Sequence, residues 1–284
     1  MVTDVIAQAL PSEAAPFGAH APSRLVRSAL SLTGALPDTW MGRRVAFFLR
    51  NLVLRSLAGS PLDIEALGAR MRIKPYNNIS EKKVLFTPQY FDAEELSILR
   101  RYIGDDFVFL DVGANAGFYA LHAAAHARGR ARILAIEPQP EIFDRLVWNI
   151  GVNRFGTVKA IACALADRAG DVTLFLDPAN IGQASIRIVG SANAPTLRVP
   201  AKTMLDVIRD EHFDHVDAIK LDVQGAEDLI LEPFLASAPA HLLPRLIILE
   251  NSESRWQTDL HALLRRHRYR EIARTRLNAI YTLA

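Results

Sequence analysis

Residues 111–117 read Asp-Val-Gly-Ala-Asn-Ala-Gly and follow an apolar run, so this is where chemistry is first expected in the chain. Gly113 and Gly117 carry no side chain where a backbone must turn tightly or a ligand must approach closely. A helix that begins after such a turn presents unpaired amide groups. Asp111 would repel a pyrophosphate, so a ligand with a cationic group is favoured over a dinucleotide.

Glu137 is the second candidate ligand-binding residue. It lies on the order of 20 residues beyond the glycine turn, where a ribose-binding acid is expected in a nucleotide-binding unit. S-adenosylmethionine combines an ammonium group for Asp111, a carboxylate for backbone amides and an adenosine for Glu137, so we predict it as the cofactor. Each residue alone has a plainer explanation, Asp111 as a helix cap and Glu137 as a strand end before Pro138.

The elements that must position these residues alternate strictly between apolar strands and helices. This order predicts an α/β fold with a doubly wound, Rossmann-like sheet. Two final apolar runs lie too close together for a helical crossover, so we expect an antiparallel pair there, as in class I methyltransferases. The predicted strands span 107–110, 132–136, 158–162, 218–223, 246–250, 269–273 and 279–283, and the helices lie at 117–127, 141–149, 204–208, from 226, and 257–266.

The sequence predicts a division of the chain into three segments. Residues 1–38 are rich in Ala, Pro and Ser and are expected to be flexible, residues 39–104 to form a small helical and β-hairpin module, and residues 105–284 to form the cofactor-binding domain. In the module we predict strands at 70–74 and 83–86 and a helix from Asp92 to Tyr102. A β-rich insertion is predicted over 172–199.

Residues 40–58 are predicted to form a basic amphipathic helix. Such a helix suits peripheral contact with an anionic membrane or a partner subunit. Packing on its own domain, with arginines reaching to solvent, is the alternative.

Three stretches give the chain a family resemblance. They read VFLDVGANAGFY at 108–119, ALAD at 164–167 followed by Gly170, and IKLDVQGAE at 219–227. On the basis of these three stretches, the chain from about Arg70 to its end resembles the FkbM-type S-adenosylmethionine-dependent O-methyltransferases. The resemblance implies a hydroxyl acceptor on a sugar, glycolipid or secondary metabolite. It also places Asp167 near the adenine, and adds Asn115 and Phe118 to the cofactor-binding residues.

The third stretch is expected to carry the catalysis. In a doubly wound sheet the fourth strand lies beside the first, which brings Lys220 and Asp222 near the reacting methyl group. Asp222 is the candidate base, and it also borders the cofactor; Glu227 and Glu250 are carboxylates that could position a hydroxyl. For Glu227, a first-turn acid favoured by the helix dipole is an equally good explanation. Gln224 departs from the glutamate usual in the family, and an amide cannot act as a base.

The remaining features argue for a small-molecule or glycan acceptor rather than nucleic acid. The chain has 284 residues with 33 Lys and Arg against 31 Asp and Glu. Cys163 is the single cysteine, as expected of a cytoplasmic protein, and no transmembrane segment is predicted. His122 and His126 have metal-ligand spacing but no recognisable third ligand, so no metal site is expected.

Two other functions stay open. A non-catalytic S-adenosylmethionine-binding protein is suggested by Gln224, and a dinucleotide-dependent oxidoreductase is the weaker alternative. Calorimetric titration with S-adenosylmethionine and with NAD separates the oxidoreductase from the other two.

Overall fold

The computed structural model describes residues 15–37, 39–177, 180–187 and 195–284, without the side chain of Arg43. Within these ranges the helices are α1 (Arg24–Ala35), α2 (Trp40–Leu57), α3 (Ile79–Phe86), α4 (Ala93–Tyr102), α5 (Phe118–His126), α6 (Pro140–Gly151), α7 (Met204–Asp210), α8 (Glu227–Ser237) and α9 (Leu260–Arg266). The strands are β1 (Leu62–Ala66), β2 (Ala69–Ile73), β3 (Val108–Val112), β4 (Arg132–Ile136), β5 (Val158–Ile161), β6 (Ala164–Leu165), β7 (Gly170–Leu176), β8 (Ala184–Ser185), β9 (Thr196–Lys202), β10 (Ala218–Leu221), β11 (Leu246–Glu250), β12 (Tyr269–Arg274) and β13 (Asn278–Leu283).

The central sheet confirms the predicted doubly wound topology. Its strand order is β12-β13-β11-β10-β3-β4-β5, and β13 runs antiparallel to both of its neighbours. From β3, the strands β4 and β5 are added in chain order toward one edge of the sheet. β10 then pairs with the other side of β3. The strand order therefore reverses between β3 and β10, which is where ligands bind in open α/β sheets.

Side chains of the central strands alternate between two hydrophobic cores, because successive residues of a strand point to opposite faces. Phe109 packs in the core that also contains residues of α4, α5 and α6, whereas its neighbour Leu110 packs in the core formed with α7, α8 and α9. The sheet is thus covered by helices on both faces, as its almost continuously apolar strands require.

The first N-terminal segment differs from the prediction. Residues 24–35 form α1, which Ser23 caps by accepting from the amide of Val26, so the expected flexibility is wrong for this stretch. Before it, the amides of Gly18 and His20 donate to the carboxylate of Asp63 in β1, which ties the segment to the fold. Residues 1–14 and residue 38 lie outside the described residues.

The hairpin of the N-terminal module also forms from other residues than expected. The predicted strand at 83–86 is wrong, because Asn78 accepts from the amides of Ser80 and Glu81 and so starts α3 rather than a β-turn. The hairpin pairs β1 with β2 through Leu67 and Gly68, both with positive φ. A leucine is rarely found at such a position, so Gly68 is the only part of the usual turn signal that the sequence carries there.

The β-rich insertion forms a second sheet, with strand order β6-β9-β7-β8. The predicted range 172–199 falls on β7, β8 and most of β9, while positions 178–179 and 188–194 lie outside the described residues. Across the described part of the chain, no helix combines the length and the hydrophobicity needed to cross a bilayer.

Candidate active site

A cavity lies over the carboxyl ends of β3 and β10, at the reversal of strand order. Eight of the eleven predicted site residues line it, drawn from the glycine loop, the ends of β4 and β11, and the end of β10. They are Asp111, Gly113, Asn115, Phe118, Glu137, Lys220, Asp222 and Glu250. The topology thus brings together residues up to 139 positions apart in sequence, from Asp111 to Glu250.

The glycine loop is shaped by backbone that other residues rarely adopt. Gly113 has φ of 77°, and a Cβ added there would lie 2.0 Å from the backbone oxygen of Asp222. Only glycine permits this approach of β3 to the end of β10. Gly117 has φ of 95° and packs against Leu146, outside the cavity lining, so its part is to start α5 closely against α6.

Asp111 is buried at the cavity floor. Its Oδ2 accepts from the amide of Ala120 at 2.9 Å, which holds the carboxylate against the first turns of α5. Burial raises the pKa of Asp111 to about 6, against the opposing effect of the ammonium of Lys220. A further cation at this carboxylate would favour its ionised form, and an ammonium ligand is such a cation.

Glu137 is held in place by the glycine loop. Its Oε2 accepts from the amide of Asn115 and its Oε1 from the amide of Gln139, each at 2.9 Å. Burial raises the pKa of Glu137 to about 7. Each carboxylate oxygen has a second lone pair, so Glu137 can still accept from the hydroxyls of a ligand.

The amides of the glycine loop are already used within the protein, which differs from the expectation that they bind a ligand carboxylate. Those of Gly113 and Ala114 donate to the carbonyl of Ile136, and that of Gly117 to Ala114. The amide of Ala116 donates to the side chain of Asn115. The loop is therefore rigid, but its amides are not an anion site.

Lys220 and Asp222 form an ion pair at the end of β10, in which Lys220 is buried and the side chain of Asp222 is 37% exposed. Lys220 Nζ lies 2.9 Å from Asp222 Oδ2 and 4.7 Å from the centre of the Tyr119 ring. Burial opposes the charge on both groups, but each holds the other ionised: the pKa of Lys220 lies above its ordinary value and that of Asp222 below it. The cavity thus contains a carboxylate that is ionised at neutral pH.

Gln224 connects this ion pair to Glu250. Its Nε2 donates to Asp222 Oδ1 at 2.7 Å and to Glu250 Oε1 at 3.1 Å. Burial and the nearby charge of Asp222 raise the pKa of Glu250 to about 9, so Glu250 is protonated at neutral pH. Gln224 is therefore a shared donor that links the two carboxyl groups.

Besides Gly117, two predicted site residues do not reach the cavity. Glu227 accepts from the amides of Val223 and Gly225 through Oε1 and from Trp256 Nε1 through Oε2, so it fixes the β10–α8 loop instead of positioning a hydroxyl. Asp167 is exposed and lies in a separate hollow beside α7, because β6 carries the chain away into the second sheet. The predicted roles of both residues are corrected accordingly.

The sequence prediction missed the residues that cover the cavity. Asn78 Nδ2 donates to Asn115 Oδ1 at 2.7 Å, and Gln183 Nε2 donates to Gln224 Oε1 at 2.5 Å. Asn180 Oδ1 accepts from the amide at the start of α3. The N-terminal module and the insertion therefore meet above the glycine loop, and only the β-rich character of the insertion gave any signal of this.

Tyr119 and Asp92 were also missed. The hydroxyl of Tyr119 donates to Asp92 Oδ2 at 2.9 Å, and both side chains line the cavity next to Lys220. Burial raises the pKa of both groups. They add a hydrogen-bonding pair on the wall formed by α4 and α5.

A second hollow, which we call the N-terminal groove, lies between α1, α2 and α3. It is mostly apolar, with Leu54 and Phe86 in its wall. Ile79 and Lys83 line both this groove and the cavity, so α3 separates two adjoining spaces. Lys83 forms no ion pair with any residue that the structure describes.

His122 and His126, which we predicted not to bind a metal, contact backbone carbonyl groups. His122 Nδ1 lies 3.1 Å from the carbonyl of Leu67, and His126 Nδ1 lies 2.8 Å from the carbonyl of His122. Within the described ranges, no group of three or more His, Cys, Asp or Glu side chains is arranged to hold a metal ion.

Comparison with known proteins agrees with this architecture. The methyltransferase FkbM domain family matches residues 111–271, more than half of the chain. Methyltransferase sdnD of Sordaria araneosa is 28% identical over a match covering 53% of this chain and 66% of that protein. Hexuronic acid methyltransferase AglP of Haloferax volcanii is 25% identical, with 50% of this chain and 55% of that protein covered. The chain therefore spans less than two thirds of the length of either relative.

Among solved structures, the METTL16 methyltransferase domain is 13% identical and has a TM-score of 0.48, with 92% of this chain and 90% of that chain covered. The family match starts at Asp111 and extends through Lys220, Asp222 and Glu250, so it contains the glycine loop and the ion pair of the cavity. The chain belongs to the FkbM methyltransferase family.

Proposed function

We propose that this chain transfers a methyl group from S-adenosylmethionine to a hydroxyl oxygen of a sugar, glycolipid or secondary metabolite. The observation that carries the proposal is the Lys220–Asp222 ion pair in the cavity, which faces the glycine loop across the reversal of strand order. The relatives support a methyl acceptor of this range, since one of them is a hexuronic acid methyltransferase.

The cavity residues fit the proposed cofactor. Asp111 is a buried carboxylate whose strongest nearby cation, Lys220, is shared with Asp222, so it suits an ammonium group. Glu137 suits the two hydroxyls of a ribose, because two backbone amides already fix its orientation. When bound, S-adenosylmethionine supplies a methyl group on a positively charged sulfur.

Asp222 is proposed to accept the proton of the acceptor hydroxyl. Lys220 keeps this carboxylate ionised at neutral pH, and Gln224 fixes one of its oxygens. A carboxylate held within hydrogen-bond reach of a hydroxyl orients an oxygen lone pair and receives the proton as the new bond forms. Glu250, protonated at neutral pH, is proposed to position the acceptor instead of taking its proton.

Lys83 is proposed to bind an acidic group of the acceptor. It lines the cavity on the side of α3, opposite the ends of the strands, and is not engaged in an ion pair with a described residue. A carboxylate such as that of a uronic acid would complement this ammonium.

The test is methyl transfer from deuterated S-adenosylmethionine to a panel of hydroxylated acceptors that includes uronic acids, followed by mass spectrometry. We expect the wild type to add one labelled methyl group, and Asp222→Asn to reduce turnover by about 100-fold or more. Asp228→Asn is the control, because Asp228 is likewise paired with a cationic side chain, that of Arg187, but lies outside the cavity lining. Equal turnover of Asp222→Asn and the wild type would exclude Asp222 as the base.

A non-catalytic S-adenosylmethionine-binding protein is the second candidate, suggested by Gln224 at a position where the resembled family usually has glutamate. This function predicts calorimetric binding of S-adenosylmethionine without methylation of any acceptor in the panel. Tight binding of NAD without binding of S-adenosylmethionine would instead favour a dinucleotide-dependent oxidoreductase and overturn the cofactor assignment.

A further inference from the structure

The N-terminal helices expose more large hydrophobic side chains than the rest of the fold. Eight of the thirteen large hydrophobic residues that are exposed in the described ranges belong to α1 and α2. Scattered surface hydrophobics are ordinary, whereas a contiguous exposed set marks an interaction site. This set is therefore a candidate for contact outside the chain.

Four of these residues form a stripe along α2. Met41, Val45, Phe48 and Leu52 recur at helical spacing and are 67%, 40%, 63% and 48% exposed; we call them the outer stripe. A different side of the same helix faces the fold, where Val53 is buried. The outer stripe is thus a second apolar face on a helix that already has one packed against the protein.

Positive charge surrounds the outer stripe. Residues 23–60 contain six arginines and a single acid, Asp38, which lies outside the described residues. Arg44 and Arg55 are exposed on α2, and the guanidinium of Arg44 lies 4.8 Å from the centre of the Trp40 ring. Neither arginine forms an ion pair with a described acidic residue.

We propose that the outer face of α1 and α2 docks this chain on an anionic lipid bilayer. Exposed tryptophan, phenylalanine and leucine next to unpaired arginines are the composition of a helix that lies in the plane of a membrane interface. The apolar side chains enter the acyl boundary, and the arginines contact acidic head groups. A second copy of the chain fits less well, because a two-fold contact through the outer stripe would bring the arginines of both copies together.

The test is sedimentation of the full chain with vesicles of phosphatidylcholine, with or without about one third phosphatidylglycerol. Each arginine near an anionic surface contributes about a 5-fold gain in partitioning, so Arg44→Gln/Arg55→Gln is expected to weaken binding to acidic vesicles by roughly 30-fold. Raising the salt concentration should weaken binding of the wild type in the same way. Arg266→Gln/Arg270→Gln removes the same charge from exposed positions on α9 and β12 and should leave binding unchanged.

The contribution of the apolar side chains to vesicle binding is tested with a second set of variants. Phe48→Ser/Leu52→Ser should abolish most binding to acidic vesicles, whereas Val147→Ser/Ile272→Ser, at other exposed hydrophobic positions, should not. Binding that is absent for the wild type, or equal for both variant pairs, would overturn the proposal. A wild-type dimer that Phe48→Ser/Leu52→Ser dissociates, together with no vesicle binding, would assign the face to a second copy. These measurements need neither cofactor nor acceptor, so they can fail while methyl transfer succeeds.

Discussion

The side chain of Asn78 donates a hydrogen bond of 2.7 Å to the side chain of Asn115. This bond joins the start of α3 to the middle of the glycine loop, 37 residues further along the chain. The module that precedes the sheet therefore contributes directly to the shape of the proposed cofactor site.

Asn78 has two separable functions, and two substitutions should distinguish them. Asn78→Ala removes both the cap of α3 and the bond to Asn115, so we expect a loss of about 1–2 kcal/mol in the free energy of unfolding and weaker binding of S-adenosylmethionine. Asn78→Ser keeps an acceptor for the cap but is too short to donate to Asn115, so it should weaken cofactor binding while retaining most of the stability. Urea unfolding and calorimetry measure the two effects; unchanged cofactor affinity in both variants would contradict a role for the bond.

Glu227 should matter for stability and not for chemistry. Its carboxylate accepts two backbone amides and the indole of Trp256, and a glutamine there would turn an NH2 group toward one of these donors. We expect Glu227→Gln to lower the free energy of unfolding by about 1–3 kcal/mol, with turnover per folded molecule retained. Glu232→Gln, at an exposed position of α8, is the control and should change neither quantity. Loss of turnover at full stability would return Glu227 to the catalytic residues.

Glu250 should make the protein less stable as the pH rises. Its pKa is about 9 in the folded state, far above that of an exposed glutamate, so the folded chain holds a proton that the unfolded chain has released. Its stabilising effect is complete below about pH 4 and is lost as the pH rises toward 9. Glu250→Gln should therefore flatten the decline of the melting temperature between about pH 5 and 9. A decline of the same slope in the variant would show that Glu250 does not carry this proton.

Gln224→Glu should destabilise the cavity most at alkaline pH. The substitution replaces the donor to Asp222 and Glu250 with a third carboxyl group, so like charges raise the pKa of the cluster further. We expect a loss of about 1–3 kcal/mol in the free energy of unfolding at pH 8, with partial recovery toward pH 5, where the added group is protonated. Gln224→Met removes the donor without adding a charge. The loss in the free energy of unfolding of this variant should therefore not depend on pH between about 5 and 8.

The central sheet could be predicted from the sequence because its strands are buried on both faces. The runs at 132–136 and 246–250 are continuous apolar segments, and both form strands with the predicted bounds. Once their order along the chain is known, the topology places Asp111, Glu137 and Asp222 around one cavity. The positions of these residues therefore followed from periodicity and connectivity alone.

The cover of the site could not be predicted in the same way. Asn180 and Gln183 lie in an insertion without sustained periodicity, and their partners, Ile79 and Gln224, belong to distant elements. The sequence predicted a turn where α3 begins, because an asparagine that caps a helix and one that makes a turn have the same local sequence signal. The burial of Glu227 could not be predicted from the sequence either, since its partner Trp256 is 29 residues away.

Ile79 and Lys83 give the cavity and the N-terminal groove a common wall. An occupant of one space that rearranges α3 would alter the other space, and the two occupancies would then be thermodynamically linked. Linkage is reciprocal: if an occupant of the groove tightens cofactor binding by a given factor, the cofactor tightens binding of that occupant by the same factor. A single helix of eight residues is thus the element through which such a linkage would act.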